Sequence, residues 1–479
     1  DNSIEVFSFA LNEELELAKS KADLRLQAGD QVTIFKLTQD RASYIADIVN
    51  KLKERARYNQ PEPLVSILGN VKFPGTYPLE STMRVSDLVE ASLDVLPATD
   101  MEYALLRRES KNRDLITLIP ISLSKAMSNE SLKANPLLQP RDKLIVLSLQ
   151  DNRNELISKY ISELRLQARH GLPAPIVEIL GNVKHPGTYP LSENMSVSDL
   201  VGAALNLLPS TDMDYALIQR VSEDDITTIM PVVLNNALSG LTQKDDIQLQ
   251  ARDRLIIFNK KDERRDVIEG LVNDLNKQAK LGQPALVTNI NGLVSYQGAY
   301  PLTNGMRVSD LVIAAGGLKE AAYSMMAEIT RYSIGTNNQF NTKHLTINLG
   351  QAMAQDMSQN VLLEPHDIVT IKQIPDWSEE NTITITGEVR FPGRYPITKG
   401  ETLAQVLNRA GGVTKLGDPE AAVFSRQSLR DRESANKKRL ISEMEMDMAL
   451  LQKDDASRLN SSDQSEKTML ALASMQQVI

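Results

Sequence analysis

The stretch I-L-G-N-V-K-F-P-G-T-Y-P-L, from Ile67 to Leu79, returns almost unchanged as I-L-G-N-V-K-H-P-G-T-Y-P-L at Ile179–Leu191. A third copy reads N-I-N-G-L-V-S-Y-Q-G-A-Y-P-L (Asn289–Leu302) and a fourth T-I-T-G-E-V-R-F-P-G-R-Y-P-I (Thr384–Ile397). Each copy reads as an apolar strand that passes through a glycine (Gly69, Gly181, Gly292, Gly387), turns, and resumes as a strand at a tyrosine (Tyr77, Tyr189, Tyr300, Tyr395). The pairs Pro74-Gly75, Pro186-Gly187 and Pro392-Gly393 predict a type II turn, because proline presets φ at the second turn position and glycine accepts positive φ at the third. In the third copy Gly298 alone is expected to supply the turn. A hairpin repeated four times means that the chain is an array of similar units.

A second marker runs in phase with the first. L-Q-A-G-D-Q-V-T-I-F (Leu26–Phe35) matches the segments Leu137–Leu147, Leu249–Phe258 and Leu362–Ile371, each a polar turn with an aspartate followed by an apolar strand. Asp30, Asp142, Asp253 and Asp367 recur every 111 to 114 residues. From aspartate to the next hairpin glycine is 39 residues three times, and then 20 from Asp367 to Gly387. The missing stretch falls in a linker. In the three full linkers that stretch predicts an amphipathic helix, with one apolar face formed by Tyr44, Ile45, Ile48, Val49 and Leu52, by Leu156, Ile157, Tyr160, Ile161 and Leu164, and by Val267, Ile268, Leu271, Val272 and Leu275.

After each hairpin a short helix is expected, as in M-R-V-S-D-L-V-E-A-S (Met83–Ser92), with a Ser-Asp pair at its start. Gly316-Gly317 and Gly411-Gly412 read as C-terminal caps. Two strands and the aspartate-marked closing strand complete the unit. A small sheet over one helix is an α+β, β-grasp-like module. The expected divisions are 1–40 (the closing part of a repeat), 41–150, 151–261 and 262–375 (each a linking helix with a full repeat), 376–425 (the start of a further repeat) and 426–479 (a helical insertion). On this reading the chain opens and stops within repeats, as one elongated array.

Composition narrows the function. The 479 residues are 42% hydrophobic and 24% charged, with a net charge of −9 and no cysteine. Disulfides and thiolate chemistry are thereby excluded, and a nucleic-acid binder would carry a basic footprint instead. No apolar run reaches the length that a membrane-spanning helix needs. The four histidines, His170, His185, His344 and His366, lack metal-ligand spacing. No nucleophile elbow or phosphate-cradling loop is present, so neither a catalytic residue nor a cofactor is expected.

The segment G-E-V-R-F-P-G-R-Y-P-I-T-K-G-E-T-L-A-Q-V-L-N-R-A-G-G-V-T (Gly387–Thr414) resembles the SLBB domain, the soluble ligand-binding β-grasp module, and the other copies follow it in phase. Tandem copies of that module are typical of bacterial outer-membrane polysaccharide export proteins. The resemblance implies a non-enzymatic periplasmic module that oligomerises as a ring around an exported glycan, with an inner-membrane polysaccharide co-polymerase as a further partner. It also implies attachment to the outer membrane through parts outside this chain. The competing expectation within the same pathway is a monomeric adaptor for glycan or protein. Tyr77, Tyr189, Tyr300 and Tyr395 are the candidate glycan contacts, set against core packing as the simpler role for rings on that strand.

Overall fold

The computed structural model describes residues 27–34, 41–54, 61–426, 432–443 and 446, apart from 111–114, 129, 241–245, 262–263, 281, 335–339, 376, 378–380 and 399. The chain divides into two compact units, Asp1–Trp377 and Ser378–Ile479.

The first unit contains three copies of one mixed sheet. In the first repeat β1 (Leu64–Gly69) pairs antiparallel with β2 (Gly75–Pro78) and parallel with β5 (Lys143–Ser148). β5 then pairs antiparallel with β3 (Thr99–Glu109), which pairs with β4 (Ile116–Ile121), giving the order β2-β1-β5-β3-β4. The second repeat repeats this order with β6 (Ile176–Gly181), β7 (Gly187–Pro190), β8 (Thr211–Val221), β9 (Thr227–Val232) and β10 (Arg254–Asn259). The third does so with β11 (Val287–Gly292), β12 (Gly298–Pro301), β13 (Ala322–Ile334), β14 (Phe340–Ile347) and β15 (Ile368–Gln373). A parallel pair at the centre, a hairpin on one side and a short helix after that hairpin make the β-grasp arrangement. The α+β class, with tandem SLBB-like units, is therefore the observed architecture.

The linking helices explain how the units join. Side chains on a strand alternate between faces, and in β5 Leu144 and Val146 face their own repeat while Ile145 and Leu147 enter the core of the next. β10 divides likewise, with Leu255 and Ile257 on one side and Ile256 and Phe258 on the other. The second face is covered by the following linking helix, Arg153–Arg165 or Arg265–Gln278, whose Ile157, Ile161 and Leu164, or Ile268, Leu271 and Leu275, are buried there. Burying such a side chain stabilises by about 1.5–3 kcal/mol. Each of these two helices therefore packs on both the sheet before it and the hairpin after it, while Leu156 and Val267 stay exposed.

The third sheet ends differently. Where β5 carries L-I-V-L, β15 carries I-V-T-I-K-Q, so Val369 and Ile371 fill the inner core while Thr370 and Lys372 lie on the other face. Lys372 pairs there with Glu328 of β13 at 3.0 Å. A polar outer face suits a sheet with no linking helix after it in the sequence, as in terminal units of repeat proteins.

The second unit keeps the hairpin, β16 (Thr382–Ile385) with β17 (Gly393–Pro396), and the short helix Leu403–Arg409 around Ile385, Val406 and Ala410. Of the helical segment expected over 426–479, residues 432–443 are helical and 447–479 lie outside the described residues. Most of 1–40 also lies outside them. Residues 27–34 form the expected turn, with Asp30 Oδ2 accepting from the Gln27 amide at 2.7 Å, but residues 31–34 form no strand.

Two local expectations are corrected. The hairpins do not close through a type II turn at Pro-Gly. Gly75, Gly187, Gly298 and Gly393 are the first residues of their strands, each opposite the isoleucine two before the hairpin glycine. Residues 70–74 instead form a loop whose amides donate outward: Lys72 to the Asp94 carbonyl and Phe73 to that of Ser92, each at 3.1 Å. The helix after the hairpin leaves carbonyls unsatisfied at its C-terminal end, and the loop completes them. The second correction concerns that helix. It begins at Val85, and Asp87 is its third residue, accepting from the Arg84 amide at 2.8 Å, so the aspartate rather than a Ser-Asp pair caps it.

Candidate functional site: a cleft on the second repeat

The glycines and prolines of the hairpin are structural. Gly69, Gly181, Gly292 and Gly387 have φ between 90° and 93°, in the left-handed region that glycine enters at no steric cost. A Cβ on Gly69 would stand 2.0 Å from the Val146 carbonyl oxygen, so the closing strand could not approach. Pro74, Pro186 and Pro392 precede the second hairpin strand and carry no amide to satisfy.

The tyrosines are placed in the core. Tyr77, Tyr189 and Tyr300 are buried, whereas Tyr395 is partly exposed. Each hydroxyl donates back to the carbonyl four residues before it, Tyr77 to Phe73 at 2.7 Å, Tyr189 to His185 and Tyr300 to Tyr296 at 2.8 Å, and Tyr395 to Phe391 at 2.5 Å. Burial pushes the Tyr189 and Tyr300 hydroxyls up to about 12. The rings of Tyr77, Tyr189 and Tyr300 pack in the core, the simpler role, and the hydroxyls tie down the hairpin loop.

The repeated aspartates have a partner that sequence reading missed. Arg108 grips Asp142 with Nε at 3.1 Å and Nη2 at 2.6 Å, and Arg220 and Arg331 grip Asp253 and Asp367 in the same way. All three carboxylates are fully buried. Each also accepts from an amide of its own turn, as from Gln139 at 2.8 Å. Two-pronged arginine–carboxylate pairs of this kind set the geometry of the turn. A second arginine series, Arg41, Arg153 and Arg264, recurs at the same period at the start of each linking helix and donates to the carbonyls of Ala91, Ala203 and Ala314 in the next repeat. Those carbonyls end the short helices, where a cation is favoured. The spacing of these arginines was the available signal.

Among the described residues, no cluster of His, Asp and Glu is arranged to hold a metal ion. No described helix is long and apolar enough to cross a membrane.

The concave feature of note lies on the second repeat. A cleft of about 690 Å³ opens between the C-terminal end of the linking helix Arg153–Arg165, the turn that follows it, and the starts of β6 and β10. Arg165 and Arg169 stand on one wall, and Arg252 and Arg254 on the other. Arg254 is held by Glu178 at 2.7 Å and Arg252 by Asp225 at 3.2 Å. Arg165 reaches the Thr188 hydroxyl at 3.4 Å, and the side chains of Arg169 and His170 have no hydrogen-bond partner among the described residues. In the strand register Glu178 faces Arg254, whereas Ser66 faces Lys143 in the first repeat and Asn289 faces Ile368 in the third. The charged wall is therefore a property of the second repeat. The arrangement is equipped to bind polar groups by hydrogen bonds.

No curated protein matches the chain. The SLBB domain family model matches residues 64–92, 176–204, 287–331 and 382–435, one segment in each repeat.

Proposed function

We propose that this chain is a non-enzymatic periplasmic module of a bacterial polysaccharide export complex. It oligomerises to form part of a conduit for the glycan, associated with the outer membrane through other parts of the protein. The observation that carries this reading is the run of four SLBB segments, three of them joined in series by sheets that contribute to the core on either side. Such a scaffold holds repeated surfaces at fixed spacing, which a polymer path requires and a single reaction does not. Weak contact suits the role, because tight binding would stall the polymer. Leu156 and Val267 of the linking helices stay exposed, so the contacts between copies fall to these helices and to the sheet edges. An inner-membrane polysaccharide co-polymerase is the expected partner on the other side.

Deletion of the gene tests the reading: polymer should vanish from the cell surface while its synthesis continues inside. Light scattering of the full-length protein should show a closed oligomer. A protein that stays monomeric at high concentration yet binds glycan would instead be the adaptor, and unchanged surface polymer after deletion would overturn both readings.

A further inference from the structure

We propose that the cleft on the second repeat binds a carboxylate-bearing sugar unit, so that the glycan is an acidic polysaccharide. This rests on the export reading and deepens it.

The argument begins with the charges that are already spent. Glu178 and Asp225 each hold an arginine, Arg254 and Arg252, and Asp253 is gripped from below by Arg220. The charges in the cleft without an ion-pair partner among the described residues are Arg169 and Arg165, which reaches the Thr188 hydroxyl, against Glu223. The free charge is positive although the chain as a whole carries −9. Local focusing of that kind marks the sign of a ligand better than the net charge does. A guanidinium matches a carboxylate with two parallel hydrogen bonds, and Arg165 and Arg169 lie on the same wall. The paired residues opposite offer planar donors and acceptors to hydroxyl groups, while Pro173 and Ile176 give the wall an apolar portion for the C–H face of a ring. No Phe, Tyr or Trp ring lines the cleft. Stacking is thereby absent, so affinity rests on the charged contacts and stays weak and salt-dependent. A uronate residue combines the three features: one carboxylate, several hydroxyls and a ring with an apolar face.

The test uses a galacturonate hexamer as the probe, with its fully methyl-esterified form as a neutral control, titrated calorimetrically into the full chain. The acid should bind at low salt and the ester should not. Replacing both arginines (Arg165→Ser with Arg169→Ser) should lower affinity at least tenfold, about 1.4 kcal/mol. The charge-matched pair Lys51→Ser with Lys53→Ser, on an exposed helix face elsewhere, should leave it unchanged. Equal binding of acid and ester, or full binding by the double-arginine variant, would overturn the proposal. If the hexamer does not bind but gene deletion still blocks export, the cleft assignment fails while the export reading stands.

Discussion

Arg264 and Asp212 form an ion pair of 2.8 Å that is buried on both sides and crosses from one repeat to the next. The same guanidinium donates to the Ala314 carbonyl at 3.0 Å and lies over the rings of Tyr215, Phe258 and Tyr296. One side chain thus joins the start of a strand in the second repeat, a linking helix, and the end of a helix in the third. Arg153 does the same with Asp100 and Ala203 between the first and second repeats. In the third repeat Tyr323 stands where Asp100 and Asp212 stand, and the linker that would carry the next arginine is the shortened one. The joint is thus written into the sequence twice and then omitted.

Breaking this pair from one side leaves a buried charge without its partner, which costs about 3–5 kcal/mol. Asp212→Ala should therefore lower the urea midpoint of the full chain markedly. The double change Asp212→Leu with Arg264→Met should lower it less, because a hydrophobic pair leaves nothing unpaired. Equal losses in the two proteins would show that the pair does not work as a unit.

Gly69→Ala combines a left-handed backbone with a clash against the Val146 carbonyl. The hairpin would have to move off the closing strand, so a loss of more than about 2 kcal/mol is expected, combining backbone strain with disrupted packing. Thermal unfolding of the variant should show the first repeat melting early. Gly282→Ala, whose added Cβ meets nothing within 4 Å, carries only the backbone penalty and is the comparison.

Ala98 makes the opposite case. It holds φ of 62° on an exposed turn without the freedom of glycine. Its carbonyl still accepts from the Leu149 amide at 2.8 Å, and no side-chain contact is at stake. Ala98→Gly is expected to stabilise by about 1 kcal/mol, the cost of a left-handed non-glycine residue. A lower melting temperature would contradict the assignment of strain to this position.

His185 occupies the place taken by Phe73, Tyr296 and Phe391 in the other copies. Its Nε2 is buried without a hydrogen-bond partner. Burial, then Arg153 and Lys184, hold its pKa below the ordinary histidine value. The folded protein thus keeps the ring neutral at pH values where the unfolded chain would protonate it. Stability from this source is complete above the ordinary value of about 6.5 and falls as the pH drops below it toward the folded value. His185→Phe should flatten the melting temperature across that window relative to wild type. Identical pH profiles for the two proteins would rule out this histidine as the cause.

Much of this architecture could be read from the residues in order. The hairpin and aspartate markers recur at a period that located three full repeats, the shortened linker and the linking helices, because a packed repeat must restore the same residue types at the same depth. The apolar run of Leu144–Leu147 also announces a strand buried on both faces, and Thr370 and Lys372 interrupt that run in the third repeat. The Pro-Gly pairs misled because turn propensity is local. Here the loop amides are claimed by a helix end about twenty residues later, and the left-handed residue is the glycine before the loop. The tyrosines were ambiguous for the same reason, since a ring on a strand can face core or solvent and only the packing decides.

Sequence alone therefore determined the repeat, its elements and their phase, which depend on periodicity and backbone preference. Only the tertiary structure decided which charges meet: Arg108 with Asp142, Arg264 with Asp212, and the arginines that border the cleft. Those contacts join residues separated by 23 or more positions along the chain. Their energies depend on burial and geometry that no local pattern encodes.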